Sequence, residues 1–118
     1  MSSPPEISVV IPCLNEEEAV GKVVDQALEG IRRAGRTGEV LVVDNGSSDR
    51  SAEIAGTHGA RVVREERRGY GSAYLTGLAE AEGKYLVMGD ADGSYDFRDL
   101  RRFIEPVSQR VSLSRFGL

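Results

Sequence analysis

The stretch Lys84–Phe97 reads K-Y-L-V-M-G-D-A-D-G-S-Y-D-F and joins a strand-like run to a group of acidic residues. Its apolar part, Tyr85–Met88, predicts a buried β-strand. Asp90 and Asp92 follow, and residues two apart on an extended chain point the same way. Converging carboxylates repel each other unless a cation lies between them, and Mg²⁺ is typically held by one or two carboxylates together with substrate phosphates. The pattern indicates a metal–diphosphate site; an acidic turn is the alternative, because Asp, Gly and Ser are common turn residues.

The composition is that of a globular protein, and the length predicts a single domain. The chain has 118 residues, of which 40% are hydrophobic and 29% charged. With 19 acidic and 15 basic residues the formal net charge is -4. This balance argues against a general nucleic-acid-binding protein, whose affinity comes mainly from neutralising phosphates.

The sequence predicts neither a membrane span nor a signal peptide nor a cysteine cluster. No apolar run approaches the ~20 residues needed to span a bilayer. The segment Met1–Glu6 has neither a basic start nor an apolar stretch, so we expect no signal peptide. Cys13 is the single cysteine, which excludes an internal disulfide and a cysteine-based zinc cluster. A cytoplasmic location is the expectation.

Three further apolar runs precede the acidic stretch and predict strands. They are Ile7–Ile11, Glu39–Val43 and Ala60–Arg64. Pro12 is expected to end the first strand, because proline has no N–H to give to the ladder. The basic run from Arg61 to Arg68, with its Glu residues, is interpreted as a solvated edge.

Segments with helical spacing separate the strands. Asn15 is predicted to cap the first helix, whose first turn would carry Glu16, Glu17 and Glu18 against the positive end of the dipole. The other predicted helices are Arg50 to about Thr57, capped by Ser48 or Asp49; one from the Gly69–Gly71 turn to Gly83; and Phe97 to about Val107, capped by Asp96.

This alternation of strands and helices predicts an α/β fold with a mostly parallel sheet of about four strands and helices on both faces. In such sheets ligands bind beyond the carboxyl ends of the strands, where the strand order reverses. Every predicted strand is followed there by polar or turn residues. We therefore expect one ligand-binding edge.

Four stretches in order resemble glycosyltransferase family 2, nucleotide-sugar-dependent enzymes with the Rossmann-like GT-A fold. The stretches are V-V-I-P-C-L-N-E-E, V-V-D-N-G-S-S-D-R-S, R-R-G-Y-G-S-A-Y-L-T-G-L and D-A-D-G-S-Y-D-F. Within the family the chain looks most like the dolichyl-phosphate mannose and glucose synthases, which are polyprenyl-phosphate glycosyltransferases. The resemblance covers about Glu6 to Val107 and implies a donor-binding domain over residues 7–107. From the sequence itself, residues 1–6 are interpreted as a disordered tail, and residues 108–118 have no firm pattern and stay unassigned.

The resemblance also implies roles at matching positions. Asp44 would accept hydrogen bonds from the nucleobase edge, with simple helix or turn capping as the alternative, and Asp92 would contact a divalent ion, Mg²⁺ or Mn²⁺. Asp90 would bind the ribose or reach the ion through water. The remaining implied residues are Pro12, Leu14, Asn15 and Glu16 around the base and ribose, Arg68 and Gly69 at the diphosphate, and Ser94 beside the metal.

The implied reaction is inverting transfer of a hexose from a GDP-mannose- or UDP-glucose-type donor to an acceptor. A polyprenyl or dolichyl phosphate is the expected acceptor, which would put the chain at the cytoplasmic membrane face. Such a phosphate is largely ionised at neutral pH, since its second pKa is about 6, and needs no strong general base.

The chain is about half as long as such relatives, and the stretch that would hold the acceptor site and any catalytic base is missing. An inactive fragment, self-association through an open sheet edge and a partner chain that supplies the other half stay open as interpretations. So does a non-catalytic nucleotide-binding or dimerising module. D-A-D-G-S also resembles the D-x-D-G-T signature of haloacid-dehalogenase-type phosphatases, whose nucleophilic Asp follows the first strand.

Overall fold

The structure is a computed structural model that describes residues 4–101. Its elements alternate along the chain as the sequence predicts. They are β1 Ile7–Cys13, α1 Val20–Arg33, β2 Gly38–Asp44, α2 Ser51–Thr57, β3 Arg61–Arg64, α3 Tyr70–Glu80, β4 Tyr85–Met88 and a short 3₁₀ turn at Phe97–Asp99.

The four strands form one parallel sheet in the order β3-β2-β1-β4. In register, Cys13 of β1 lies beside Asp44 of β2, and Val10 lies beside Met88 of β4. The chain leaves β1 towards β2 and β3 and then returns to the other side of β1 as β4. The strand order therefore reverses between β1 and β4, and the carboxyl ends of all four strands lie at one edge.

Helices cover both faces of the sheet. On one face α1, α2 and the 3₁₀ turn pack on side chains such as Ile7, Val9 and Ile11 of β1. On the other face α3 packs on β1 and β2, around Val10, Leu41 and Val43. The strands are nearly all apolar because the central ones are buried from both sides. The predicted α/β class, parallel sheet and two-sided helix layer are confirmed.

Pro12 does not end the first strand, which continues to Cys13. Successive residues of a parallel strand bond alternately to the two neighbours. Val10 accepts from Gly89 after β4, and Cys13 accepts from Asn45 after β2. Pro12 therefore faces the β4 side, where β4 has already ended, and its missing N–H removes no ladder bond.

The first helix begins at Val20 rather than beside Asn15, and its first turn contains no acidic residue. The backbone N–H groups that a helix cap would bond instead donate to side chains at the end of the loop after β2 and the start of α2. The N–H of Glu16 donates to the Ser51 hydroxyl at 2.7 Å, and the N–H of Glu17 donates to the Asp49 carboxylate at 3.2 Å. The predicted helix-dipole role of Glu16–Glu18 is wrong for this reason.

Smaller differences lie at element ends. Glu6 is not a loose tail residue, since its N–H donates to the Thr37 carbonyl and its side chain accepts from the Thr37 N–H, both at 3.1 Å. The third helix ends at Glu80 instead of Gly83. Asp96 caps the 3₁₀ turn as predicted, accepting from the Arg98 N–H. The rest of the helix predicted to Val107, and the tail at 108–118, lie outside the described residues.

Candidate functional site

Four loops follow the strands at the carboxyl edge of the sheet. They cover residues 14–19, 45–50, 65–69 and 89–96. Because the strand order reverses between β1 and β4, the first and last of these loops border the crevice where ligands of parallel α/β sheets bind. The predicted site residues all lie on these loops or at the strand ends beside them.

The loops after β1 and β2 are held together by Asn15. Its N–H donates to the Ser47 hydroxyl at 2.9 Å, and its side-chain oxygen accepts from the N–H of Ser48 at 2.8 Å. Asn15 has a φ of 54°, in the left-handed region that asparagine tolerates better than most residues. Its side chain therefore shapes the loop after β2, while the neighbouring Leu14 is exposed and Pro12 is buried in β1.

Asp44 presents a buried acceptor without a donor. The residue is 2% exposed, and one carboxylate oxygen, Oδ2, accepts from the Ser47 N–H at 3.2 Å. The other oxygen, Oδ1, is buried and has no hydrogen-bond partner within residues 4–101. Buried polar atoms are nearly always paired, and leaving one unpaired is costly. Asp44 is therefore suited to accept a hydrogen bond from a ligand N–H group.

Cys13, beside Asp44, is a core residue and not a nucleophile. It is 3% exposed, and burial raises the pKa of its thiol to about 11. A thiol with this pKa stays protonated at neutral pH and is unreactive.

The loop after β3 is ordered by two side chains that sequence reasoning did not select. Asn45 spans from the end of β2 to this loop, where it bonds to the backbone of Glu65, Arg67 and Gly69. Glu65 is 7% exposed, so the prediction of a wholly solvated edge is wrong at this position. The Arg67 side chain, followed by the Thr76 hydroxyl, lowers the pKa of Glu65 to about 2. The polar pair Asp44-Asn45 at the end of β2 could have indicated a second functional residue, but from the sequence a role is assigned to Asp44 alone.

Arg68 and the adjacent Arg67 are both exposed on this loop, and they differ in their partners. Arg68 makes no side-chain hydrogen bond or ion pair with any part of the chain that the structure describes, whereas Arg67 is paired with Glu65. Gly69 follows with a φ of 112°, which favours glycine, and α3 begins at Tyr70. An unpaired guanidinium next to a helix N-terminus is a favourable place for an anion.

Hydrogen bonds within the acidic loop after β4 favour the ionised form of Asp92. The pKa of Asp92 is lowered by hydrogen bonds from Ser94, first from its side chain and then from its N–H, which lies 2.9 Å from Oδ1. Asp92 and Ser94 are exposed, and Asp90 is half-buried. Gly93 lies opposite Ala19, so this loop borders the segment that leads into α1.

The donor set of this loop suits a hard cation, since carboxylate and hydroxyl oxygens are the ligands of Mg²⁺ and Mn²⁺. Among residues 4–101 there is no group of three or more His, Cys, Asp and Glu side chains placed to hold an ion. A Mg²⁺ site of one or two carboxylates completed by phosphates needs no such group.

A separate depression of about 490 Å³ lies at the opposite edge, near the amino ends of β2 and β3, and is lined by residues such as Gly38, Glu39 and Arg61. It contains none of the predicted site residues. Position and chemistry favour the carboxyl edge, which carries Arg68, the acidic loop and the Asp44 oxygen that has no partner among the described residues.

Comparison with known proteins identifies the family. The model of the family described as "Glycosyl transferase family 2" matches residues 8–114. The chain belongs to glycosyl transferase family 2. Its four-stranded sheet with Asp90 after β4 is at odds with the phosphatase alternative, in which the nucleophilic Asp follows the first strand.

Three relatives illustrate the match. A low-salt glycan biosynthesis hexosyltransferase of Haloferax volcanii is 40% identical over 87% of this chain and 25% of its own length. The dolichyl-phosphate beta-glucosyltransferase of Mus musculus is 33% identical over 87% of this chain and 36% of its own. A crystal structure of glucosyl-3-phosphoglycerate synthase from Mycobacterium tuberculosis with Mn²⁺, UDP-glucose and phosphoglyceric acid superposes with a TM-score of 0.68 at 29% identity, covering 92% of this chain and 40% of that one.

The family 2 chain thus spans well under half the length of these relatives. Over the described residues, none of its helices has the length and apolar character required to cross a membrane. The resemblance to the polyprenyl-phosphate branch is confirmed by relatives such as the dolichyl-phosphate enzyme.

Proposed function

We propose that this chain is the donor-binding part of a glycosyltransferase that takes a hexose from a nucleoside diphosphate sugar of the UDP-glucose or GDP-mannose type. The observation that carries the proposal is the buried, unpaired Oδ1 of Asp44 on the same edge as Arg68 and the acidic loop. UDP-glucose in the structure of a relative supports the UDP form of the donor.

Each residue then has a physical task. Asp44 Oδ1 accepts an N–H of the base, which supplies the donor that this buried atom lacks. Leu14 and Glu16 lie beside the base and ribose, and Asn15 fixes the loop that carries them. Arg68 and the N–H groups around Gly69 bind the diphosphate.

The acidic loop would hold Mg²⁺ or Mn²⁺ through Asp92, with Asp90 and Ser94 beside it. When bound there, such an ion would supply positive charge to stabilise the departing nucleoside diphosphate. Asp92 is suited to this role because the hydrogen bonds from Ser94 keep its carboxylate ionised. The Mn²⁺ in the structure of a relative supports a divalent ion.

For the acceptor we propose a polyprenyl or dolichyl phosphate, met at the cytoplasmic face of a membrane. Its phosphate oxygen attacks the anomeric carbon of the donor with inversion, and the nucleoside diphosphate leaves from the opposite face. The dolichyl-phosphate and undecaprenyl-phosphate relatives support this choice. The acceptor half would come from further chain, a partner chain or a second copy. The competing function is a nucleotide-binding module without transfer activity.

Calorimetric titration with UDP and GDP, with and without Mn²⁺ or Mg²⁺, tests the donor site. We expect binding that the metal strengthens, and we expect Asp92→Asn to abolish the metal dependence. Glu80→Gln is the matched control, because it removes the same charge at the amino edge of the sheet, where Glu80 pairs with Arg61 at 3.4 Å. Equal metal dependence in Asp92→Asn and Glu80→Gln would contradict the metal site.

Transfer is tested with UDP-glucose and GDP-mannose against undecaprenyl phosphate, dolichyl phosphate and 3-phosphoglycerate. A glycosylated lipid phosphate is the expected product. If glycosylated 3-phosphoglycerate is the single product, 3-phosphoglycerate replaces the lipid phosphate as the acceptor. Tight nucleotide binding with no product from any acceptor would favour the non-catalytic module.

A further inference from the structure

The side-chain amide of Asn45 forms three hydrogen bonds, all with the loop that follows β3. The residue is 6% exposed. Its Nδ2 donates to the carbonyl of Glu65 at 2.9 Å and to that of Arg67 at 2.8 Å, and its Oδ1 accepts from the N–H of Gly69 at 3.0 Å. An amide has two N–H donors, so Asn45 has both of them occupied by the loop after β3.

These bonds enclose Arg68 from both sides. The Arg67 carbonyl precedes Arg68, and the Gly69 N–H follows it. Asn45 is itself anchored, since its own N–H donates to the carbonyl of Cys13 at 2.9 Å. The backbone position of Arg68 is therefore fixed relative to the ends of β1 and β2.

Glu65 supplies a second restraint and also selects which arginine stays unpaired. Its carboxylate accepts from the N–H of Arg67 at 2.6 Å, from the Arg67 guanidinium and from the hydroxyl of Thr76 on α3. Arg67 is thereby neutralised. Arg68 stays exposed with no carboxylate partner among the described residues.

We infer that Asn45 is a positioning residue that acts through Arg68. It holds the guanidinium of Arg68 where a diphosphate bound at the carboxyl edge would lie, and so contributes to diphosphate affinity without touching the ligand. This inference rests on the proposed function, because it requires that the edge bind a nucleoside diphosphate. Asn45 should then affect ligands that carry the diphosphate and leave binding of the nucleoside unchanged.

A double-mutant cycle in the full chain tests the inference. UDP and uridine (or GDP and guanosine, if the wild-type chain prefers them) are titrated into the wild type, Asn45→Ala, Arg68→Ala and the double variant. We expect Asn45→Ala to weaken UDP binding by about tenfold, the size of one charge-assisted hydrogen bond, with uridine binding unchanged. In the Arg68→Ala background we expect Asn45→Ala to have little further effect, because residues that act as one unit are not additive.

Ser8→Ala controls for a general loss of stability. Ser8 is fully buried at the amino edge, where it donates to Glu39 at 2.6 Å and accepts from the N–H of Gly83 at 2.8 Å. This variant should melt at a lower temperature and keep the wild-type ratio of UDP to uridine affinity. Should Asn45→Ala fail to fold, Asn45→Ser, whose hydroxyl can still accept from Gly69, takes its place in the cycle.

Three outcomes would each overturn the inference while leaving the donor site intact. They are additive losses of UDP affinity in the double variant, equal losses of UDP and uridine affinity in Asn45→Ala, and the same change in the ratio of these affinities in Ser8→Ala. A wild-type chain that binds neither nucleotide would overturn the proposed function, and the inference with it.

Discussion

Gly30→Ala tests whether the acidic loop depends on a close approach to α1. Gly30 is buried in α1, and a Cβ added there would overlap the carbonyl oxygen of Phe97 and lie 3.1 Å from Cβ of Leu100. Carbon–oxygen contacts are normally no shorter than about 3.3 Å, so the 3₁₀ turn would have to retreat by roughly 1 Å. Because the overlapping atom belongs to the backbone, no side-chain rotation can relieve the clash.

The expected magnitude follows from two opposing terms. Alanine favours the helix over glycine by ~1 kcal/mol, whereas overpacking a core typically costs ~1–3 kcal/mol. We place the steric cost at the upper end, since a backbone atom is displaced. The free energy of unfolding should therefore fall by about 2 kcal/mol, which corresponds to a melting temperature lower by roughly 10 °C.

Urea unfolding measures this change, with Gly56→Ala as the matched control. Gly56 is a helical glycine of α2, and an added Cβ would meet only Val62 Cγ2 at 3.8 Å, an ordinary contact. This control should be as stable as the wild type or up to ~1 kcal/mol more stable. Since the 3₁₀ turn follows the acidic loop, Gly30→Ala should also weaken metal-dependent UDP binding. A Gly30→Ala chain as stable as Gly56→Ala would refute the close-approach argument.

Two further predictions concern the loop anchors. Asn15→Ala should be less stable to urea than Asn15→Gly by about 1 kcal/mol, because both lose the bond to Ser48 but only glycine accepts the left-handed φ of 54° without strain; equal stabilities would contradict this. The pKa of Glu65 is about 2 against an ordinary value of 4.5, so its stabilising contribution is present above pH 4.5 and is lost as the pH falls towards 2. As the pH falls through that interval, the melting temperature of Glu65→Gln should therefore decrease by less than that of the wild type. An equal decrease in both proteins would count against a stabilising role for this carboxylate.

The sequence predicted correctly those strands and helices whose bounds depend on residues within the element and at its ends. The strand Tyr85–Met88 has the predicted bounds, and the second helix differs by one residue. Apolar runs of this length have few alternatives to a buried strand, and Gly or Asp at their ends leaves little freedom in where they stop. The parallel sheet followed from the alternation of strands and helices alone.

The errors share one physical cause, which is bonding to residues far away in the sequence. Asn15 resembles a helix cap, yet its side chain bonds to Ser48, 33 residues later. Glu65 lies in a charged run but is buried against Thr76 of α3. No periodicity in a window of ten or so residues contains such partners, so the site residues could be predicted by resemblance while their supports could not.

The adjacent pair Asp44 and Asn45 shows how one strand end can serve ligand and scaffold together. Consecutive residues at the end of an extended strand point in different directions. Within residues 4–101, Asp44 has one buried oxygen without a hydrogen-bond partner, whereas Asn45 has both amide donors bonded to the neighbouring loop. Arg68 can contact a diphosphate only if its loop stays in place when the ligand is absent, and the bonds of Asn45 provide that restraint. Under the proposed function these two neighbours would divide the task, with Asp44 accepting a hydrogen bond from the base and Asn45 fixing the loop that carries Arg68.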